Sequence, residues 1–166
     1  MRTRRLTRDA MLTGVALIIF TIEAQIPPLT SIPGIKMGLA NIITVYAAFA
    51  IGPADAAMIL AARVLLGSVI AGNLSTLMYS AAGGLMCLAV MLGLRRALTE
   101  RQMWVASVIG AAAHNAGQIA VAIAVTGTPA LLAYLPVLLM SGMIAGLFTG
   151  LCAQALVNRM AGHTGQ

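Results

Sequence analysis

The run GAAAHNAGQIAVAI at residues 110–123 decides how this chain is read. It holds no proline and no acid, arginine or lysine, and most of its side chains are small and apolar. His114, Asn115 and Gln118 nevertheless stand in its middle. The apolar stretch around it, from about 103 to 126, is long enough for a helix to cross a hydrocarbon layer ~30 Å thick. Three polar side chains at that depth must bond to other helices or line a cavity, because the surrounding medium offers them nothing.

Working outward, the rest of the chain has the same character. Of its 166 residues 60% are hydrophobic and only 8% are charged, with a mean hydropathy of +0.97. A soluble domain would carry roughly a quarter charged residues, so the composition indicates an all-α integral membrane protein. Proline, glycine and charge punctuate it into six spans, near 9–26, 35–52, 53–72, 74–96, 103–126 and 129–158. Pro27-Pro28 and TSIPG make the first loop, Gly52-Pro53 turns the chain, RRALTERQ forms a polar loop and TGTP another turn. The sixth span is overlong and is expected to tilt or to emerge into water. Short loops imply one compact bundle, with residues 1–8 as a basic tail, 9–158 as the transmembrane domain and 159–166 as a second tail.

The net charge of +6 does not point to nucleic acid. Arg2, Arg4, Arg5 and Arg8 precede the first span, Arg95, Arg96 and Arg101 share one loop, and no basic stripe with interleaved aromatics is present. The arginines read as topology determinants. With both termini cytoplasmic, every arginine-bearing loop lies inside and Lys36 alone among the loop cations lies outside, in an inner (cytoplasmic) membrane. The first span follows an n-region and h-region like those of a signal peptide, but Glu23 and Pro27-Pro28 stand where a small-residue cleavage site belongs, so it is expected to be retained. Cys87 and Cys152 lie in apolar runs without metal-ligand spacing and read as small buried residues.

Placing each polar residue by depth, at ~1.5 Å per helical residue, gives a lopsided picture. Glu23, Lys36, Asn41, Arg63, Asn73, Ser75, Tyr79, His114, Asn115, Gln118 and Tyr134 all fall between the midplane and the outer surface, whereas the inner halves hold little beyond Ala, Leu, Val, Met and Gly. An ionisable group in the bilayer interior costs ~2.5–3.5 kcal/mol or more. Glu23, Arg63 and His114 are therefore expected to face the bundle interior around one outward-facing cavity. Structural readings stand beside this one. Arg63 with Glu23 would hold helices together, and His114 with Gln118, at i and i+4, would bond between helices. Tyrosines near interfaces form ordinary belts, Asn41 would serve in packing and Asn73 in a turn.

Gly142, Gly146 and Gly150 form a GxxxGxxxG ridge expected to pack inside the bundle, with an intersubunit role as the alternative. VLLGSVIAG and VLLMSGMIAG echo each other faintly across spans three and six, where a duplication would be inverted. The four acids, Asp9, Glu23, Asp55 and Glu100, are too scattered for a DDxxD-type metal–diphosphate site, and no P-loop, HExxH, GxSxG or CxxC occurs. No catalytic residue, metal ligand or cofactor is expected.

Several blocks in order, PGIKMGLANI (33–42), ARVLLGS (62–68), GNLSTLMYSAAGGL (72–85), AHNAGQ (113–118) and YLPVLLMSGMIAG (134–146), resemble the Gx transporter family, also catalogued as heptaprenyl diphosphate synthase component I. The resemblance runs from about residue 9 to 158. It implies a relation to the substrate-binding S components of energy-coupling factor transporters: compact six-helix proteins with an outward pocket, docked on a transmembrane coupling protein that carries cytoplasmic ATPases. Ala10, Gly14 and Ala16 match the small residues of the first helix that make that contact. The resemblance thus implies uptake of a small anionic or zwitterionic molecule. Arg63, Lys36 and a protonated His114 would face its acidic group, and Glu23 would hold an amine or balance Arg63. The alternatives are a membrane component of isoprenoid or quinone synthesis, and an ion-coupled carrier titrating Glu23 and His114.

Overall fold

A computed structural model describes residues 2–26, 38–99 and 102–163. Every regular element among them is helical. Helix α1 runs Arg2–Glu23, α2 Asn41–Tyr46, α3 Pro53–Ala71, α4 Leu74–Leu94, α5 Met103–Thr126 and α6 Leu135–His163. Helix α2 continues as a π-helical turn over Ala47–Ile51, and a 3-10 turn, Pro129–Tyr134, leads into α6. Among the described residues four stretches are long and apolar enough to cross a membrane: Pro53–Ala71, Leu74–Leu94, Met103–Thr126 and Pro129–Arg159. The chain is an all-α membrane protein.

The second span differs most from the reading of the sequence. Its helix begins at Asn41 instead of 35 and ends with Ile51, and residues 35–37 lie outside those described. Eleven residues rise only about 16 Å, half a hydrocarbon layer. The π-helical turn ends the helix at Gly52, and Pro53 opens α3, where its missing N–H costs nothing. The sixth span opens with the 3-10 turn, which runs directly into α6 one residue before Pro136.

Helix direction follows from paired contacts. Arg5 meets Asp55 and Phe20 lies against Gly67, so α1 and α3 run parallel. Gly83 faces His114 while Gly110 faces Cys87 and Met91, so α4 and α5 are antiparallel. Gly142 faces Asn115 and Gly150 faces Trp104, so α5 and α6 are antiparallel too. Helix α5 sits centrally, with α4 on one side and α6 on the other, and α2 reaches α3, α5 and α6.

The glycine ridge is the reason α5 and α6 approach so closely. A Cβ at Gly146 would stand 2.8 Å from Ala111 Cβ and 2.9 Å from the Ser107 carbonyl oxygen, and one at Gly150 would stand 2.6 Å from Trp104 Cα. Beside the ridge, the Ser107 and Thr149 hydroxyls share a hydrogen bond of 3.1 Å. The apolar core gathers Ile43, Phe49, Ile59, Leu60, Leu88 and Met91 between α2, α3 and α4.

At the arginine-rich end, Asp55 in the first turn of α3 is buried and accepts from Arg5 Nε at 2.5 Å. That bond holds the Arg5 guanidinium above its ordinary pKa. Arg8 bridges to Asp9 at 2.9 Å and to Asp55 at 3.4 Å. A carboxylate at a helix N-terminus also meets the positive end of the helix dipole.

Candidate functional site

The site is built where the upper part of α1, the start of α2 and the middles of α3 and α5 converge. Asn41 opens α2 and is 4% exposed. Its Oδ1 accepts from Arg63 Nη2 at 3.2 Å, and its Nδ2 lies 3.2 Å from His114 Nδ1. The direction of this relay follows from chemistry. A guanidinium only donates, so the amide must turn its oxygen to Arg63 and its NH2 to the imidazole. His114 Nδ1 is then an acceptor, which places the ring proton on Nε2 and leaves the ring neutral. The expected protonated His114 is at odds with this arrangement.

The His114 ring is seated between two glycines. A Cβ at Gly83 would come within 2.8 Å of its Cε1 and Nδ1, and one at Gly38 within 3.2 Å of its Cδ2. Gly38 adopts φ +83°, a conformation that other residues rarely take. Its N–H donates to Glu23 Oε1 at 2.6 Å. Glu23, buried at the end of α1, thus anchors the backbone entering α2.

Arg63 is 4% exposed in the middle of α3. Among the described residues no carboxylate stands within 4 Å of it, and its Nε has no hydrogen-bond partner. Glu23 acts on Arg63 through space, without the direct ion pair of the structural alternative. Gln118 Oε1 and Asn115 Oδ1 are likewise buried without partners. Asn115 spends its Nδ2 on the Leu138 carbonyl of α6, beside Gly142. Unsatisfied buried polar atoms are few in native proteins; Asp9 Oδ2 and Gln154 Oε1 are others, away from this site.

The remaining residues of the reading fall elsewhere. Lys36 lies outside the described residues. Asn73 is exposed and caps α4, accepting from Thr76 N at 2.7 Å, which is what a short polar side chain does at that position. Ser75, in the first turn of α4, is exposed. Tyr134 is 39% exposed at the end of the 3-10 turn. Tyr79 is 3% exposed but packs in an apolar cluster with Ile119, Ala122, Leu131 and Leu138. Ala16 is fully buried in the core, so it offers no surface to a partner, because α1 turns that face to the bundle. Ala10 is exposed, and Gly14 has open space around it.

Sequence reasoning passed over three features. Thr44, one turn after Asn41, is 1% exposed with Oγ1 unpartnered; a threonine in an apolar run gave no signal. Gly38 and Gly83 flank His114 although 45 residues separate them. The Arg5–Asp55 and Arg8–Asp55 pairs join positions about fifty apart in the chain.

No curated protein and no solved structure matches the chain. A family model, heptaprenyl diphosphate synthase component I, matches residues 12–156. That match takes in every residue of the Asn41–Arg63–His114 relay, and the chain belongs to this family.

Proposed function

We propose that this protein is a membrane-embedded binder that takes up a small anionic or zwitterionic molecule, in the manner of an S component energised by a partner ATPase module. The observation that carries the reading is the buried Arg63. A charge in mid-membrane is costly, and an arginine kept there purely for structure is normally paired with a carboxylate. Arg63 has no carboxylate within 4 Å among the described residues, feels Glu23 only through space, donates a hydrogen bond to a neutral amide and keeps an unspent donor, Nε. A preorganised cation of this kind suits an incoming acidic group, with the neutral His114 and the Gln118 carbonyl as further polar contacts.

The positive-inside rule favours the orientation in which the arginine-rich end of α1 and the α4–α5 loop face the cytoplasm. Ala10 and Gly14 remain candidates for contact with a coupling subunit.

The test is mass spectrometry of metabolites retained by protein purified from its native membrane, with Arg63→Gln as comparison. A single acidic metabolite retained by the parent and lost in the variant is expected. If no metabolite is retained, or Arg63→Gln retains it equally, the reading fails.

The family description favours a second reading, a non-catalytic membrane component of prenyl diphosphate synthesis. The same cation would then face a diphosphate. Deletion should in that case abolish polyprenyl product, and unchanged product would exclude it.

A further inference from the structure

We propose a second binding site, independent of the Arg63 centre: a groove at the arginine-rich end of α1 that holds the phosphodiester headgroup of an anionic lipid. The groove is shallow and open, about 470 Å³, and is lined along one helix by Thr3, Arg4, Thr7, Arg8, Met11 and Leu12. These residues follow a spacing of four along one side of the helix, next to the buried side that carries Asp9, Thr13 and Ala16, and Leu12 packs partly on the core.

The wall of the groove is almost wholly apolar, while the residues that carry it are graded along the helix axis. Thr3, Arg4, Thr7 and Arg8 form the end that meets the membrane surface. Met11 and Leu12 lie about 6 Å beyond Thr7 and Arg8 and about 12 Å beyond Thr3 and Arg4, at ~1.5 Å per residue, where the apolar part of the helix begins. A guanidinium-and-hydroxyl end joined to an apolar end matches a phospholipid, whose phosphate sits at the surface and whose acyl chains descend. A free phosphate would leave the apolar half unused.

Charge bookkeeping singles out Arg4. The two buried carboxylates, Asp9 and Asp55, are bound by Arg8 and Arg5. Arg4 makes no ion pair among the described residues, and it is exposed. The Thr7 hydroxyl gives its proton to the Thr3 carbonyl at 3.0 Å, which leaves the Thr3 hydroxyl as the uncommitted donor. Arg4 with Thr3 therefore presents the positive charge and the O–H that a phosphodiester accepts. Basic clusters beside a membrane span attract anionic lipid by the same electrostatics.

The experiment is native mass spectrometry of the full chain released from micelles holding equal amounts of phosphatidylglycerol and phosphatidylcholine. The parent should retain phosphatidylglycerol in preference. Arg4→Gln should lower that retention about fivefold, and Thr3→Val should lower it too, while Arg96→Gln, an exposed arginine of the α4–α5 loop, should leave it unchanged. Excess inorganic phosphate should not displace the lipid. Melting temperatures of the variants should match the parent, because neither Arg4 nor Thr3 is buried. Equal retention of the two lipids, no change in Arg4→Gln, an equal loss in Arg96→Gln or displacement by phosphate would each overturn the proposal. None of these outcomes bears on metabolite binding at Arg63.

Discussion

Replacing Gly150 by alanine tests whether the α5–α6 contact is as close as the ridge implies. The new Cβ would stand 2.6 Å from Trp104 Cα and 2.7 Å from Ser107 Cβ, where ordinary contact begins at 3.4 Å. Trp104 Cα is backbone and cannot rotate aside, so the helices must part by nearly 1 Å. Overpacking of this kind costs ~1–3 kcal/mol, and parting also stretches the Ser107–Thr149 hydrogen bond, worth ~1 kcal/mol net. Alanine returns ~1 kcal/mol through its higher helix propensity. The balance is a loss of about 2 kcal/mol, or roughly 4–8 °C in melting temperature for a chain of this size. Cys87 is fully buried, so a fluorogenic maleimide in a Cys152→Ser background reports its exposure on heating. Gly14→Ala is the control, because nothing lies within 4 Å of its Cβ position; it should melt at or above the parent temperature. A Gly150→Ala protein that melts no lower than its parent would show that the ridge is not a close contact.

Three further outcomes follow from the same geometry. Asn41→Leu strips both Arg63 and His114 of their partner and should cost ~2–4 kcal/mol; Asn41→Leu with Arg63→Met should recover part of that loss, and a double variant no more stable than the single would refute the relay. A cysteine at Thr128 should react with membrane-impermeant maleimide in intact spheroplasts, whereas one at Thr99 should need permeabilisation; the reverse pattern would invert the proposed orientation. Asp55→Asn releases Arg5 and Arg8, so it should lower the melting temperature modestly at low salt and make it less sensitive to added salt; a salt response equal to that of the parent would count against the clamp.

Much of the bundle was legible because the hydrocarbon layer imposes length on its spans. Helices α3, α4 and α5 fall within a few residues of the boundaries read from punctuation, since Pro53, Asn73 and Gly127 each perform a local job: first-turn proline, N-cap and left-handed C-cap. Where length was not imposed, the reading failed. Nothing in the composition of 35–52 marks Asn41 as a helix start, because a buried short helix and a full span are equally apolar. Depth reasoning worked for the same reason and failed at the same limit. It brought Asn41, Arg63 and His114 to one level, where the structure joins them. It also enrolled Ser75, Asn73 and Tyr134, because depth records height in the membrane but not direction around a helix.

Direction around the helix is what separates His114, Asn115 and Gln118, and it gives each a different part. Successive residues of an α-helix lie about 100° apart. His114 therefore turns to α2 and α4, between Gly38 and Gly83, while Asn115 turns to α6 at Gly142. One polar block thus serves two contacts: Asn115 ties α5 to α6, and His114 takes its orientation from Asn41 and so from Arg63. The structural and the binding readings of this block apply to different residues within it. Because α2 is too short to span the layer, its first residue comes to lie inside the bundle instead of at its rim. That placement is what brings a neutral amide, and not a carboxylate, into hydrogen-bond contact with the buried arginine, while Glu23 acts on it through space and Nε keeps a free donor.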